Sequence, residues 1–243
     1  MIFSVVKADI VNLDVDAVVL PANEQLREGS GTSRAIFKGA GRIALTKACK
    51  EIGHCNIGSA VPTLGYNLKS KYIIHAVVPS WVDGEHGEYD LLSSAYLASL
   101  KVAEIMHCDS IAFPLLAAGN NGFDKELAIQ IAKESINQFT GDNLKNIYLV
   151  VFEGSVEILM RMQGFDVTVP SEQFAINEQK AKKRAKFQQL FAVGNDVAQK
   201  ALEAQVNKAL EWLKDEQNQQ KLFNWGIAIA QVVLMKKAPK RNK

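Results

Sequence analysis

The sequence contains little cysteine, with only Cys49, Cys55 and Cys108 among 243 residues. An odd and low cysteine count is atypical of secreted folds that disulfides stabilise, so it excludes a disulfide scaffold and favours a reducing, cytoplasmic location. The spacing of these cysteines from His54 and His107 fits neither a compact zinc finger nor a zinc ribbon. We therefore expect buried thiols and no metal site.

Long apolar runs are also missing. The longest apolar stretch, residues 222–235, contains polar residues and is shorter than the ~20 residues that a membrane-spanning helix needs. At the start of the chain, Lys7 and Asp9 interrupt a short apolar run, so we expect no signal peptide and no transmembrane segment. With 48% hydrophobic and 22% charged residues, the composition is typical of a globular protein and excludes a wholly disordered chain.

Charge is unevenly distributed, although the net charge is only +2. Residues 1–170 contain 14 Lys and Arg against 19 Asp and Glu, whereas residues 171–243 contain 14 against 7. This change predicts a domain over residues 1–169 and a basic extension over residues 170–243. The extension either contacts nucleic acid or an anionic membrane surface, or is a solvated helix face that keeps the chain in solution. It lacks interleaved aromatic residues, which favours the second interpretation.

Strand-like and helix-like segments alternate before the extension. The predicted strands span residues 2–7, 16–20, 59–64, 72–78, 110–115, 146–152 and 165–169. The predicted helices span residues 32–51, 89–106, 124–139 and 156–162. This alternation indicates an α/β fold with a mostly parallel sheet. In the extension, amphipathic spacing predicts helices over residues 196–214 and 222–235.

Two segments share one design, in which a buried strand runs through a glycine-containing loop into a helix. Residues 21–31 follow the strand at 16–20, and residues 117–123 follow the strand at 110–115. In an open α/β sheet the carboxyl ends of the strands hold the ligand crevice, and glycines together with a helix N-terminus offer N–H groups to an anion. The pair of loops therefore predicts a diphosphate site, unless the Gly and Asn residues serve only as turn formers. A full dinucleotide fingerprint and a Walker loop are both absent, which excludes those standard nucleotide sites.

Two histidine-containing segments outside these loops have structural interpretations. His75 lies on a predicted strand, where a hydrogen-bonded core histidine is expected more often than a catalyst. Trp81 and Tyr89 flank an acidic loop over residues 83–88, and these two aromatic residues either edge a cleft or cover the sheet.

Several of these motifs, in their order along the chain, resemble the macrodomain family. They are the Lys-Ala-Asp-Ile of residues 7–10, the Leu-Pro-Ala-Asn of 20–23, the glycine-rich segment 29–36, the Thr-Leu-Gly-Tyr-Asn-Leu of 63–68 with the Tyr-Ile-Ile-His of 72–75, and the segment 111–123. The resemblance spans roughly residues 1–169. It implies a three-layer α/β/α fold around a mixed central sheet, with a cleft for ADP-ribose and no resident cofactor.

The resemblance also implies roles for individual residues. Asp9 and the Ile10 backbone N–H would hold the adenine, and Asn23 would face the distal ribose. The two loops would wrap the diphosphate through main-chain amides, which suits backbone N–H groups and phosphate oxygens. The implied ligand-binding residues are Asp9, Ile10, Ala22, Asn23, Gly29, Ser30, Gly31, Thr32, Ser33, Ala118, Gly119, Asn120, Asn121, Gly122 and Phe123.

The sequence departs from the hydrolytic patterns of the family. Ser33 stands where MacroD-type hydrolases carry an aspartate, and a hydroxyl is a poor general base at neutral pH. A second hydrolase class pairs a loop lysine with an aspartate, where this chain has Lys38 and Asn121. Glu24, Glu28 and Asp124 either supply a carboxylate or are solvated loop charges.

Two functions stay open at this point. One is hydrolysis of O-acetyl-ADP-ribose or of protein-linked ADP-ribose, with Asn23 and Ser33 as the catalytic candidates. The other is a non-catalytic reader of ADP-ribose, or an interaction protein whose basic extension contacts nucleic acid or a protein partner.

Overall fold

The computed structural model describes residues 1–152, 154–168 and 195–224. The basic stretches at 180–186 and 236–243 and most of the predicted helix over 222–235 lie outside the described residues.

Strands of the described part of the chain form one mixed sheet. They are β1 (Ile2–Lys7), β2 (Ala17–Ala22), β3 (Ala60–Leu64), β4 (Tyr72–Val77), β5 (Ser110–Pro114), β6 (Asn146–Val151) and β7 (Val167–Thr168). The strand order is β3-β4-β2-β5-β6-β1-β7, and every neighbouring pair is parallel except the antiparallel pair β3 and β4. β2 and β5, the strands that precede the two glycine-containing loops, are therefore adjacent and point the same way.

Helices flank this sheet, which confirms the α/β/α fold class. They are α1 (Gly31–Ala40), α2 (Arg42–Ile52), α3 (Glu88–Ile105), α4 (Lys125–Gln138), α5 (Gly154–Met162), α6 (Asn195–Lys214) and α7 (residues 216–224). A short 3₁₀ helix, Ile10–Asn12, follows β1. In the described residues, no helix has the combined length and apolarity that crossing a bilayer requires.

The prediction of one continuous helix over residues 32–51 is wrong. Gly41 separates α1 from α2 with a φ of 96°, a conformation that side chains with a Cβ rarely adopt. A Cβ at this position would lie 3.0 Å from Asn67 Nδ2, so the turn is also crowded. The buried face changes at this turn: α1 buries Ile36 and Ala40, whereas α2 buries Leu45 and Cys49 and leaves Ile43 90% exposed.

A buried carboxylate ties β2 to β5 at the edge opposite the loops. Asp16 is only 5% exposed, and its Oδ2 accepts hydrogen bonds from the backbone N–H groups of Asp109 (2.9 Å) and Ser110 (3.1 Å). Lys71 Nζ lies 2.8 Å from Asp16 Oδ1. Burial raises the pKa of Asp16, but the hydrogen bond and charge of Lys71 outweigh it, and the pKa is lowered. This carboxylate fixes the relative height of the two strands, and so of the loops at their other ends.

The extension contributes to the core through α6 and α7. Helix α6 packs against β3 and α3, and it buries Ala209 and Leu213. The Tyr72 hydroxyl donates to the Gln205 side chain of α6. Leu222 of α7 is also buried, so apolar side chains after residue 195 lose solvent contact against the body.

Candidate functional site

A cleft of about 730 Å³ opens at the carboxyl ends of β2 and β5. Three segments line it: the first loop (residues 21–33), the second loop (residues 115–123) and a third wall (residues 77–91). The first two loops lie side by side because their strands are neighbours in a parallel arrangement.

The Asn23 side chain shapes the first loop. Its Oδ1 accepts a hydrogen bond from the Arg27 N–H (3.0 Å), and its Nδ2 donates to the Arg27 carbonyl (2.9 Å). Leu26 sits inside this turn with a φ of 54° and a buried side chain. Asn23 therefore holds the backbone that leads to the glycines, as well as lining the cleft.

Ser33 closes the end of the first loop. Its Oγ accepts a hydrogen bond from the Gly29 N–H at 3.0 Å, and the residue is 4% exposed. Ser30 is the N-cap of α1 but makes no side-chain cap bond, and the first turn contains no acidic residue. The first N–H groups of a helix have no intrahelical acceptor, so this helix start presents donors and a positive dipole end to the cleft.

Backbone bonds fold the second loop. The Phe123 N–H donates to the Ala117 carbonyl (3.2 Å), and the Gly122 N–H donates to the Gly119 carbonyl (3.0 Å). Ala117 and Gly122 both have positive φ, 62° and 80°. Asp124 then caps α4 by accepting from the Leu127 N–H at 3.0 Å. The loop thus holds its backbone in a fixed curve before the helix begins.

One hydrogen bond joins the two loops directly. Asn120 Nδ2 donates to Ser30 Oγ at 2.6 Å, although the residues are 90 positions apart. Asn121 ties the second loop to the third wall, since its Nδ2 donates to the Pro79 carbonyl (3.2 Å) and its carbonyl accepts from the Trp81 N–H (2.7 Å). The three sides of the cleft are therefore hydrogen-bonded to one another.

The third wall is organised by the buried carboxylate of Glu88, which is 2% exposed. Its Oε1 accepts from the N–H groups of residues 82, 83 and 84 at 3.1–3.2 Å, and its Oε2 accepts from the His86 N–H at 2.7 Å. Burial opposes ionisation, but these backbone donors outweigh it and lower the pKa of Glu88 to about 2. The acidic loop is thus folded around one ionised side chain.

Trp81 and Tyr89 themselves do not line the cleft, whereas the loop between them does. Val82, His86 and Glu88 line the cleft. Trp81 packs edge-to-face on Tyr89, with 5.4 Å between ring centroids, and on Phe123 of the second loop, with 5.2 Å between ring centroids. Neither His86 nor Glu88 has a role predicted from the sequence. The available signal was a glutamate in the first turn of a helix after a glycine-containing loop.

Most of the implied ligand-binding residues line this cleft. They are Ala22, Asn23, Gly29, Ser30, Gly31, Thr32, Ser33, Gly119, Asn120 and Asn121. The others, Asp9, Ile10, Ala118, Gly122 and Phe123, lie outside its walls. Gly122 and Phe123 belong to the fold of the second loop, where Phe123 is buried.

Asp9 lies at the same edge of the sheet but after β1, which β5 and β6 separate from β2. Its carboxylate caps the 3₁₀ helix, with Oδ1 accepting from the Val11 N–H and Oδ2 from Asn12 Nδ2, both at 3.2 Å. Ile10 is buried at the start of that helix.

The cleft has few ionisable groups. Among the described residues that line it, only Glu24, His86 and Glu88 are ionisable, and none is Lys or Arg. A bound anion would therefore be held by backbone N–H groups and the dipole of α1, not by a basic side chain.

Two other features resemble binding sites, a group of possible metal ligands and a second cavity. The ligand atoms of Asp83, His86 and Glu88 lie within 4.8 Å of one another, as in a metal site, but the hydrogen bonds that fold the loop already occupy the Glu88 oxygens. A second cavity of about 740 Å³ lies along β3, between α2 and α6. No glycine is among the described residues that line this second cavity, so it lacks the loop type that suits a diphosphate.

Known proteins resemble this chain over the region that builds the cleft. The family model described as Macro domain matches residues 19–132. A macro domain-containing protein of Chlorobaculum tepidum is 43% identical over 147 residues, covering 60% of this chain and 84% of the relative. The O-acetyl-ADP-ribose deacetylase of Escherichia fergusonii is 39% identical over 155 residues, covering 61% of this chain and 87% of the relative.

Solved structures show the same similarity. A mutant Oceanobacillus iheyensis macrodomain with ADPR superimposes with a TM-score of 0.62 at 28% identity, covering 65% of this chain and 89% of that one. A Trypanosoma brucei macrodomain in complex with ADP-ribose gives a TM-score of 0.61 at 25% identity, covering 66% of this chain and 68% of that one. With its mixed sheet, its paired loops and these relatives, the chain belongs to the macro domain family.

Proposed function

We propose that this protein binds ADP-ribose, or an ADP-ribosyl group on another molecule, and hydrolyses an ADP-ribosyl ester. The observation that carries the binding proposal is the pair of loops at neighbouring strand ends, linked by Asn120 and Ser30 around a cleft without Lys or Arg. A diphosphate fits such a site because its oxygens accept several backbone N–H bonds at once. The ADP-ribose complexes among similar structures support the same ligand.

In this proposal the diphosphate lies at the start of α1 and against the second loop. The distal ribose lies toward Asn23, and the adenine toward Asp9. Each Asp9 oxygen accepts one intramolecular bond of 3.2 Å and keeps a lone pair, with which it can accept a bond from an adenine amino group.

We further propose that residues 1–169 bind the ligand and that residues 170–243 form an extension. This division agrees with the relatives, which match 60–63% of the chain, and with the cleft, whose lining residues all precede residue 122. The buried side chains of α6 indicate that the extension supports the body structurally.

The hydrolytic part of the proposal rests on the deacetylase relative and on the shape of the cleft. Ser33 does not act as a base in place of the family's aspartate, because its hydroxyl oxygen accepts a hydrogen bond from the Gly29 N–H and a hydroxyl is a weak base. Asn23 is placed to orient the distal ribose, while its two bonds to Arg27 hold the loop.

Calorimetry with ADP-ribose, ADP and AMP tests the binding proposal. We expect ADP-ribose to bind most tightly, because only it fills both the diphosphate and the distal ribose positions. Equal affinity for ADP and ADP-ribose would show that the distal ribose contributes nothing to binding, which would contradict the proposal.

A turnover assay with O-acetyl-ADP-ribose, and in parallel with ADP-ribosylated protein, tests the hydrolytic part. Asn23→Asp keeps the acceptor for the Arg27 N–H but loses the donor to the Arg27 carbonyl, whereas Asn23→Ala loses both. We expect Asn23→Ala to lose turnover while it still binds ADP-ribose, because Asn23 is placed to orient the distal ribose. We expect Asn23→Asp to bind ADP-ribose more weakly as well, because its carboxylate faces the Arg27 carbonyl and adds negative charge to the cleft. Binding without turnover of either substrate by the natural sequence would leave a reader of ADP-ribose, the second candidate function.

A further inference from the structure

Ester hydrolysis in this cleft needs a group that accepts a proton from water, and the Ser33 hydroxyl is too weak a base for that role. The candidates are the ionisable residues that line the cleft in the described part of the chain: Glu24, His86 and Glu88. Glu88 is excluded because its two oxygens accept backbone N–H bonds on every side of the loop and it is buried. His86 and Glu24 remain, and His86 is the better candidate because an imidazole is ordinarily a stronger base near neutral pH than a carboxylate.

His86 is held in one tautomer by its neighbour. Its Nδ1 lies 2.9 Å from Asp83 Oδ1. The Glu85 N–H and the His86 ring both donate to Asp83 and lower the pKa of its carboxyl, so this group is ionised at neutral pH. An ionised carboxylate only accepts hydrogen bonds, and Nδ1 must therefore carry the proton. The lone pair of the neutral ring is then on Nε2.

The backbone that carries this ring is fixed before any ligand arrives. The His86 N–H donates to Glu88 Oε2 at 2.7 Å, and Oε1 of the same residue holds the N–H groups of residues 82–84. The side chain itself is 64% exposed at the cleft wall, so a substrate and a water molecule can reach it. A base on a fixed backbone, with its tautomer set by a carboxylate, is the arrangement that general base catalysis requires.

We propose that His86 is the general base for hydrolysis of an ADP-ribosyl ester in this cleft, and that Asp83 is its positioning residue. This inference rests on the proposed function. MacroD-type hydrolases carry an aspartate where this chain has Ser33. The proton-accepting role therefore moves from the first loop to the third wall of the same cleft.

The step balances without a further reactant. Nε2 of His86 takes a proton from water while the water oxygen bonds to the acyl carbon. The bond between the acyl carbon and the ribose oxygen then breaks, and the imidazolium returns the proton to that oxygen. The products are the ribose hydroxyl and a carboxylic acid, which loses its proton to solvent.

Turnover of O-acetyl-ADP-ribose by His86→Gln is the first test, with His54→Gln as the matched control. His54 is an exposed histidine beside the second cavity, where it contacts Asn56. We expect kcat of His86→Gln to fall by about 10²–10⁴-fold, the range for loss of a general base. The calorimetric Kd for ADP-ribose is expected to stay within about two-fold, since this base contributes to the reaction and not to the diphosphate site. His54→Gln is expected to retain the original kcat.

A second test distinguishes chemistry from structure. Imidazole added to His86→Ala is expected to restore part of the lost kcat, which a purely structural role would not allow. For Asp83→Asn, NMR of the His86 ring nitrogens is expected to show loss of the single Nδ1–H tautomer together with a lower kcat.

The outcomes separate this inference from the proposed function. Normal turnover by His86→Gln, or its loss only in Glu24→Gln, overturns the role of His86 and leaves the hydrolase intact. If the natural sequence binds ADP-ribose but hydrolyses neither substrate, the hydrolytic function and the base both fail, while the binding proposal stands.

Discussion

Glu88→Gln removes the charge that folds the third wall of the cleft while keeping the size of the side chain. The natural carboxylate accepts four backbone N–H bonds, three on Oε1 and one on Oε2. Glutamine keeps one oxygen, which can still accept the first three as neutral bonds. Its amide nitrogen would then face the His86 N–H across 2.7 Å, and two donors would oppose each other.

The size of this effect follows from the bonds that change. A hydrogen bond to a charged group contributes about 1.5–3 kcal/mol and a neutral one about 1 kcal/mol. At the low end of these values, replacing the charged bonds and losing one acceptor costs about 3 kcal/mol. For a protein of this size, that loss corresponds to a fall in Tm of about 6–12 °C. If the loop opens locally instead, the same free energy appears as faster exchange of the amide hydrogens of residues 82–86.

The effect has a defined pH dependence. The pKa of Glu88 in the folded protein is about 2, below its ordinary value of 4.5, because the backbone donors favour the ionised form. The stabilisation is therefore fully present above pH 4.5 and is lost as the pH falls toward 2. Urea unfolding of both proteins at neutral pH, and at steps down through this interval, is expected to show a difference that shrinks with falling pH.

Glu85→Gln is the matched control, because Glu85 is an exposed glutamate of the same loop. It is expected to leave Tm and amide exchange unchanged. The reasoning is refuted if Glu88→Gln unfolds like Glu85→Gln at neutral pH, or if the difference between Glu88→Gln and the natural protein stays constant below pH 4.5.

Three further predictions concern the loops and the extension. Gly122 has a φ of 80°, so Gly122→Ala is expected to lose about 1–2 kcal/mol of unfolding free energy in urea. A Cβ at Gly119 would meet nothing within 4 Å, so Gly119→Ala is expected to keep its stability but to lose ADP-ribose affinity, because the methyl group enters the cleft. The reverse order would contradict this account. Asn120→Ala removes the bond between the two loops, and we expect calorimetry to show about ten-fold weaker ADP-ribose binding with little change in Tm. Leu213→Ala is expected to cost about 2–4 kcal/mol of unfolding free energy if α6 packs on the body as described, while the exposed Lys208→Ala serves as a control that stays within about 0.5 kcal/mol.

Much of the fold was predictable because the signals are local. The strand over residues 2–7 has the same bounds in the structure, and the other strands and helices of the body agree within a few residues, apart from the break at Gly41. Uninterrupted apolar runs and helix periodicity depend on neighbouring residues, and they survive packing largely unchanged. The break at Gly41 was missed, and the end of α1 there is bonded to a residue distant in sequence, since the Asn67 N–H donates to the Ala40 carbonyl.

The candidate site was predictable only in part. Strand–loop–helix patterns identified the two loops, since glycine content and the position after a strand are sequence features. The third wall was not assigned, because His86 and Glu88 look like ordinary residues of an acidic loop until the backbone folds around the carboxylate. The hydrogen bonds of Asn23 and Ser33 to their own loop were unpredictable for the same reason, and the ligand roles of both residues stay predictions.

The sequence by itself determined the alternation of strands and helices, and it determined which two loops follow buried strands. These properties depend on hydrophobic spacing and on residues a few positions apart. Only the tertiary structure decided that the loops touch through Asn120 and Ser30, and that His86 lines the cleft with its Nδ1 2.9 Å from Asp83 Oδ1. Contacts of this kind depend on strand order and on the path of the backbone, which place distant or solvent-compatible residues within hydrogen-bonding distance.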